Sequence, residues 1–77
     1  MAQVRYFAAA REAAGVAEEP RSERTLGELR AALSAAHPAL GGILPKCAVL
    51  VGGVRVEDDT PLNAEDLIDV LPPFAGG

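Results

Sequence analysis

Leu26, Leu29 and Leu33 recur at helical spacing directly behind Thr25, and Thr25-Leu26-Gly27-Glu28 has the hydroxyl-to-carboxylate spacing of a capping box. A helix with one apolar stripe cannot bury that stripe alone, so the rest of the chain must cover it. The remaining apolar runs read as strands. Residues 3–8 alternate, with Val4 and Tyr6 on one face and Gln3, Arg5 and Phe7 on the other. Ala48–Val51 and residues 54–56 flank Gly52-Gly53, whose missing side chains permit the positive φ of a tight hairpin. Leu67–Leu71 is the last strand and stops at Pro72-Pro73. The helix therefore lies across a sheet, with Leu26, Leu29, Leu33 and Ala36 toward it and Glu28, Arg30 and Ser34 elsewhere.

The weaker segments fit around that frame. The alanine-rich residues 8–14, closed by Gly15, suit a short helical turn with a glycine C-cap. Residues 16–21 are poorly patterned, and a second strand there depends on pairing with the first. His37-Pro38 ends the main helix, and Gly41-Gly42 makes the following connection loop-like. Residues 58–66 form a polar crossing. The order strand, strand, helix, hairpin, strand predicts an α+β domain with one main helix across one mixed sheet. Its expected core is Leu26, Leu29, Leu33, Val4, Tyr6, Val54, Val56, Ile68 and Val70.

Composition narrows the chemistry. Of the apolar residues 15 are alanine, which leaves nine Leu, seven Val, two Ile and two Phe to pack, a thin core for 77 residues. Cys47 is the single cysteine, so no disulfide staples the domain, and a reducing, cytoplasmic setting is expected. His37 is the single histidine, ten residues from Cys47, so neither a zinc set nor a cysteine–histidine pair is expected. Cys47 reads as a small apolar residue of the core or of a strand edge, and His37 as a structural imidazole facing the last helix carbonyls. Glu57-Asp58-Asp59 lacks the alternating oxygen ligands of a calcium loop, and Gly52-Gly53 lacks the Lys-Ser/Thr ending of a phosphate loop. The net charge is −4, and all seven Lys and Arg lie at or before Arg55 while six acids follow it. Non-specific nucleic-acid binding and attachment to an anionic membrane are therefore not expected, because phosphate neutralisation needs clustered cations. No constellation for catalysis is present, so the chain is read as non-catalytic by itself, without a bound metal or cofactor.

The carboxyl terminus departs from this pattern. After a domain of residues 1–73, the chain finishes in Phe74, Ala75, Gly76 and Gly77 behind two prolines, which forbid a further strand. Residues 74–77 read as a slim, flexible thread that can enter a narrow channel and present the Gly77 carboxylate.

Three segments together carry a resemblance. Val4-Arg-Tyr-Phe-Ala-x-x-Arg-Glu12 followed by Gly15, Leu26-x-x-Leu29, and Leu71-Pro-Pro-Phe-Ala-Gly-Gly77 resemble the MoaD family of molybdopterin synthase small subunits, relatives of ThiS and ubiquitin. The resemblance spans essentially the whole chain. It implies a ubiquitin-like β-grasp fold and a sulfur-carrier role. The C-terminal glycine, here Gly77, would be adenylated by a MoeB-type, E1-like enzyme using ATP, then converted to a thiocarboxylate by a persulfide donor. The tail would then enter a MoaE-type large subunit, in a heterotetramer, and pass its sulfur to cyclic pyranopterin monophosphate. In a β-grasp the first and last strands are neighbours, so alternation makes Phe7 and Leu71 an outward apolar patch at the root of the tail, joined by Phe74. Arg11 matches the family's charged position beside it and is read as pairing with acidic groups of the partner; Arg55 is a further residue for that surface. Other readings remain open: a carrier for thiazole or cysteine synthesis, a ubiquitin-like modifier joined through Gly77 to lysines, or an interaction domain with an inert tail.

Overall fold

A computed structural model describes residues 1–73. The predicted tail residues Phe74, Ala75, Gly76 and Gly77, and with them the proposed boundary after residue 73, lie outside the described residues. The elements are β1 (Ala2–Tyr6), α1 (Ala9–Ala14), β2 (Glu18–Arg21), α2 (Leu26–Ala36), α3 (Pro38–Ile43), a 3-10 turn (Leu44–Lys46), β3 (Ala48–Val51), β4 (Val54–Arg55) and β5 (Leu67–Leu71). The sheet order is β2-β1-β5-β3-β4, with β1 and β5 parallel at its centre and every other pair antiparallel. This mixed sheet crossed by one main helix is the α+β, ubiquitin-like β-grasp arrangement.

α2 forms where its cap and stripe require. The Glu28 N–H donates to Thr25 Oγ1 at 3.2 Å, and the two amides before it donate to the 58–60 crossing, Leu26 to Thr60 and Gly27 to Asp58. The polar crossing thus completes the helix start. Leu26, Leu29 and Leu33 are fully buried against Val4, Tyr6, Val49, Ile68 and Val70, whereas Ala36, expected on the same stripe, is exposed one turn beyond the cover.

Two expectations need correction. Gly41-Gly42 is not a loop: Pro38 ends α2 but also opens α3, because its fixed φ and missing N–H suit the first helical position. Leu40 and Leu44 then bury fully at helical spacing. Gly41 belongs in α3 because a Cβ there would stand 3.2 Å from Ser34 Cα, so its absence lets α3 approach α2 closely. Val54 is not core: its register partner Val51 pairs with buried Ile68, so it stands on the helix side of the sheet, yet at the outer edge it is 60% exposed. Val56 is half-buried beside it.

The turns are chosen by backbone sign. Gly52 and Gly53 both have positive φ, 59° and 81°, as a tight β3–β4 hairpin needs, and the Gly15 C-cap is left-handed at φ 79°. Ala8 is the exception, a residue with a Cβ held at φ 50°, ψ −123°. With the Ala10 N–H donating to Phe7 C=O at 3.0 Å, it occupies the first central position of a type II′ turn, where glycine is preferred. Such a Cβ costs about 1–2 kcal/mol, against about 0.5–1 kcal/mol of extra backbone entropy for glycine. Ala8→Gly is accordingly expected to raise the melting temperature by a few degrees, about 4–8 °C per kcal/mol gained. A melting temperature that stays or falls would show the turn to be unstrained.

Candidate functional site

Parallel pairing of β1 with β5 sets Arg5 opposite Asp69, while antiparallel pairing sets Asp69 opposite Leu50 and Leu50 opposite Arg55. Paired residues share a face, and none of these belongs to the helix-side core, so they form one row across the outward face. The Phe7 N–H donates to Val70 C=O at 3.2 Å, which extends the ladder past Tyr6 and brings Phe7 level with Leu71. Ala48 pairs with Leu71 from the other side. Phe7 and Leu67 are each 38% exposed, and Leu71, Leu50 and Ala48 are half-buried. The outward surface of β1, β5 and β3 is therefore an apolar patch, and its last residue leads into Pro72-Pro73.

A charge pair sits inside that patch. Arg5 Nε and Nη2 donate to the two Asp69 carboxylate oxygens at 2.6 and 2.9 Å, a bidentate fork, and the guanidinium lies 5.6 Å from the Phe7 ring centroid. The hydrogen bond to Asp69 holds Arg5 further toward its charged form, against a smaller opposing effect of burial. Because each charge already has its partner, a protein covering this face need not bury a lone ion.

The residues expected at the surface are distributed unevenly over it. Phe7 and Leu71 are adjacent, as alternation predicts. Arg11 is exposed on α1 and shares a shallow depression with Ala8, Ala9 and Glu12, one turn from Phe7. Arg55 is exposed at the far edge, two strands from β5 and roughly 10 Å away at ordinary strand spacing. Phe74, Ala75, Gly76 and Gly77 lie outside the described residues. The Arg5–Asp69 pair and Leu50 were not singled out from the sequence; the signal was the outward phase shared by residues 5 and 69, which becomes a contact only through the β1–β5 register.

The two candidate chemical side chains are structural. Cys47 is buried, its thiol donates to Ile43 C=O at 3.3 Å, and burial pushes its pKa up against a smaller opposing effect of Arg30. A neutral thiol is a poor nucleophile. His37 does not face the helix carbonyls: its Nε2 lies 3.1 Å from both Glu19 carboxylate oxygens, and its ring meets Tyr6 edge-on at 6.0 Å. The same Glu19 accepts the Tyr6 hydroxyl at 3.1 Å, and burial, reinforced by the Glu19 charge, keeps that phenol protonated. This cluster ties β1, β2 and the end of α2 together. Among the described residues no group of three or more His, Cys, Asp or Glu side chains can hold a metal ion, and no helix is long and apolar enough to cross a membrane.

The chain matches a family model described as the ThiS family over residues 4–77. It is 36% identical over 80 residues to the molybdopterin synthase sulfur carrier subunit of Chlamydomonas reinhardtii, covering 97% of this chain and 96% of that one. Among solved structures it is similar to small archaeal modifier protein 1 of Methanosarcina acetivorans, with 28% identity, a TM-score of 0.87, and coverage of 99% of this chain and 95% of that one. It is also similar to a chain in the complex of subunits 1 and 2 of molybdopterin-converting factor from Helicobacter pylori, with 30% identity, a TM-score of 0.76, and coverage of 99% and 97%.

Proposed function

The chain belongs to the ThiS family, and on that premise we propose that it is the sulfur-carrier subunit of a molybdopterin synthase. The observation that carries this reading is the continuity of the outward apolar patch with the tail: Leu71, paired to the Phe7 strand, is followed directly by Pro-Pro-Phe-Ala-Gly-Gly. A carrier needs a surface on which to dock and an end that reaches away from it. An exposed cluster of large apolar side chains rimmed by charge suits a protein partner.

The chemistry resides at Gly77. Its carboxylate oxygen attacks the α-phosphorus of ATP on a MoeB-type activating enzyme, releasing pyrophosphate and forming an acyl adenylate. Adenylation supplies the leaving group that a carboxylate lacks. The terminal sulfur of a persulfide then displaces AMP at the carbonyl carbon, and a second thiol of the donor reductively cleaves the S–S bond, leaving a thiocarboxylate. A thioacid stays ionised at neutral pH, so the chain needs no base of its own. The loaded tail enters a MoaE-type large subunit, and sulfur passes to cyclic pyranopterin monophosphate, with water restoring the carboxylate. ATP is used by the activating partner and is not held by this chain, and the setting is cytoplasmic. The Helicobacter pylori neighbour, solved with subunit 2, supports a large-subunit partner.

A second reading rests on the likeness to small archaeal modifier protein 1: the adenylated Gly77 would instead form an isopeptide with a lysine. Intact-mass measurement after incubation with ATP, the activating enzyme and a sulfur source separates the two. One sulfur gained for one oxygen supports carriage, and a ladder of conjugates supports modification. An unchanged mass under all conditions overturns both.

Docking has its own test. Phe7→Asp places a charge in the patch without touching the core, so the melting temperature is expected to hold within a few degrees. Affinity for the large subunit, measured by calorimetry, is expected to fall roughly 30-fold, the loss of a central aromatic anchor worth about 2 kcal/mol. Unchanged affinity moves the docking surface elsewhere.

A further inference from the structure

Apolar side chains enclose one ion pair on the outward face of the sheet. Arg5 of β1 and Asp69 of the central strand β5 form it, with Phe7 and Leu71 toward the tail, Leu67 toward the other end and Leu50 across on β3. The Arg5 side chain is 40% exposed and that of Asp69 17%. An ion pair this open to water adds little to folding. Its place, central and ringed by apolar groups, is that of an interface anchor. The fork to Asp69 uses two of the five N–H groups of an arginine, one on Nε and one on Nη2, which leaves three. Among the described residues none of those three has an acceptor, and water serves them while the face is open. Under a covering protein each must find an acceptor there or become a buried orphan donor.

The charges around Arg5 restrict what that acceptor is. Asp69 faces it from β5, and Glu18, its register partner on β2, adds to the negative field while accepting a hydrogen bond from Gln3 at 2.9 Å. Two carboxylates already answer one guanidinium, so a third brought by a partner would be repelled, whereas a neutral carbonyl would not. We propose, on the premise that the large subunit occupies this face, that the Arg5–Asp69 fork is its specificity element and selects a surface that is apolar around the pair and sets neutral carbonyl oxygens over Arg5. Asp69 is a positioning residue: it fixes the guanidinium plane and cancels the charge that docking would otherwise strip of water.

Calorimetric titration of the full chain with its MoaE-type large subunit provides the test, with melting followed by circular dichroism for each variant. Asp69→Asn keeps the shape and one acceptor for Arg5 and removes only the charge. It is expected to weaken binding at least roughly tenfold while the melting temperature holds within a few degrees. Arg5→Met combined with Asp69→Leu removes both charges and leaves an apolar face. It too is expected to bind roughly tenfold more weakly than the parent, because the partner's carbonyls lose their donors. Phe7→Asp in the same series shows whether the large subunit docks on this face at all. If Phe7→Asp weakens binding but the double variant binds as tightly as the parent, the partner does not read the pair, and the proposal is overturned with docking intact. Tighter binding by Asp69→Asn would set a partner carboxylate over Arg5 and overturn it as well, as would unchanged affinity. Unchanged affinity of Phe7→Asp removes the face itself, and the proposal with it.

Discussion

A chain lacking Gly77 is expected to gain no sulfur when incubated with ATP, a MoeB-type enzyme and a persulfide source, while the intact chain gains one sulfur for one oxygen. The truncated chain still ends in a glycine carboxylate, so the chemical group survives and only its position changes. Removing one residue draws the carboxylate back by about 3.5 Å along an extended thread. Reacting atoms must come within about 3–3.5 Å, and a misplacement of about 1 Å already costs on the order of a hundredfold in rate. The expected loss is therefore at least that large, and the melting temperature is expected to stay unchanged. Intact-mass spectrometry over a time course measures it. Sulfur uptake at the normal rate, or an unaltered reconstituted molybdopterin assay, would leave the terminal residue without a role.

Leu29→Ala is expected to have the largest effect on the fold. Leu29 is fully buried in the middle turn of α2, where the stripe meets β1 and β5. Truncation of a buried leucine costs about 2–5 kcal/mol, whereas a domain of this length has only about 4–12 kcal/mol in total. The variant should melt at least about 10 °C lower and in part be unfolded at physiological temperature. Leu29→Met conserves the volume and should cost less than about 1.5 kcal/mol. Circular dichroism of both variants, read beside the sulfur-uptake assay, separates lost carriage from lost folding. If Leu29→Ala melts within about 3 °C of the parent, α2 does not seal the core.

Local chemistry explains which elements could be read in advance. The Thr25 cap, the leucine stripe of α2, the Gly15 C-cap and the Gly52-Gly53 turn each depend on residues within a few positions of one another, and each formed where spacing required. α3 escaped notice because two glycines outweighed Leu40 and Leu44 in a short window, although close helix approach requires Gly41. Val54 was misplaced for a different reason. Alternation sets the face of a strand, and exposure depends on how far the covering helix reaches. For the outward patch, Phe7 and Leu71 followed from alternation combined with the family's strand order, but the Arg5–Asp69 fork joins residues 64 positions apart and depends on register.

By itself the sequence determined the main helix with its cap, the hairpin, the first and last strands and the distinctive Leu71-to-Gly77 ending, because all of these are written in composition or in short-range periodicity. Only the tertiary structure decided that β1 and β5 lie parallel at the centre and that Phe7 stands level with Leu71 around a satisfied ion pair. Those juxtapositions depend on loop closure and on burying one continuous face of the sheet, quantities that belong to the whole chain and to no window of it.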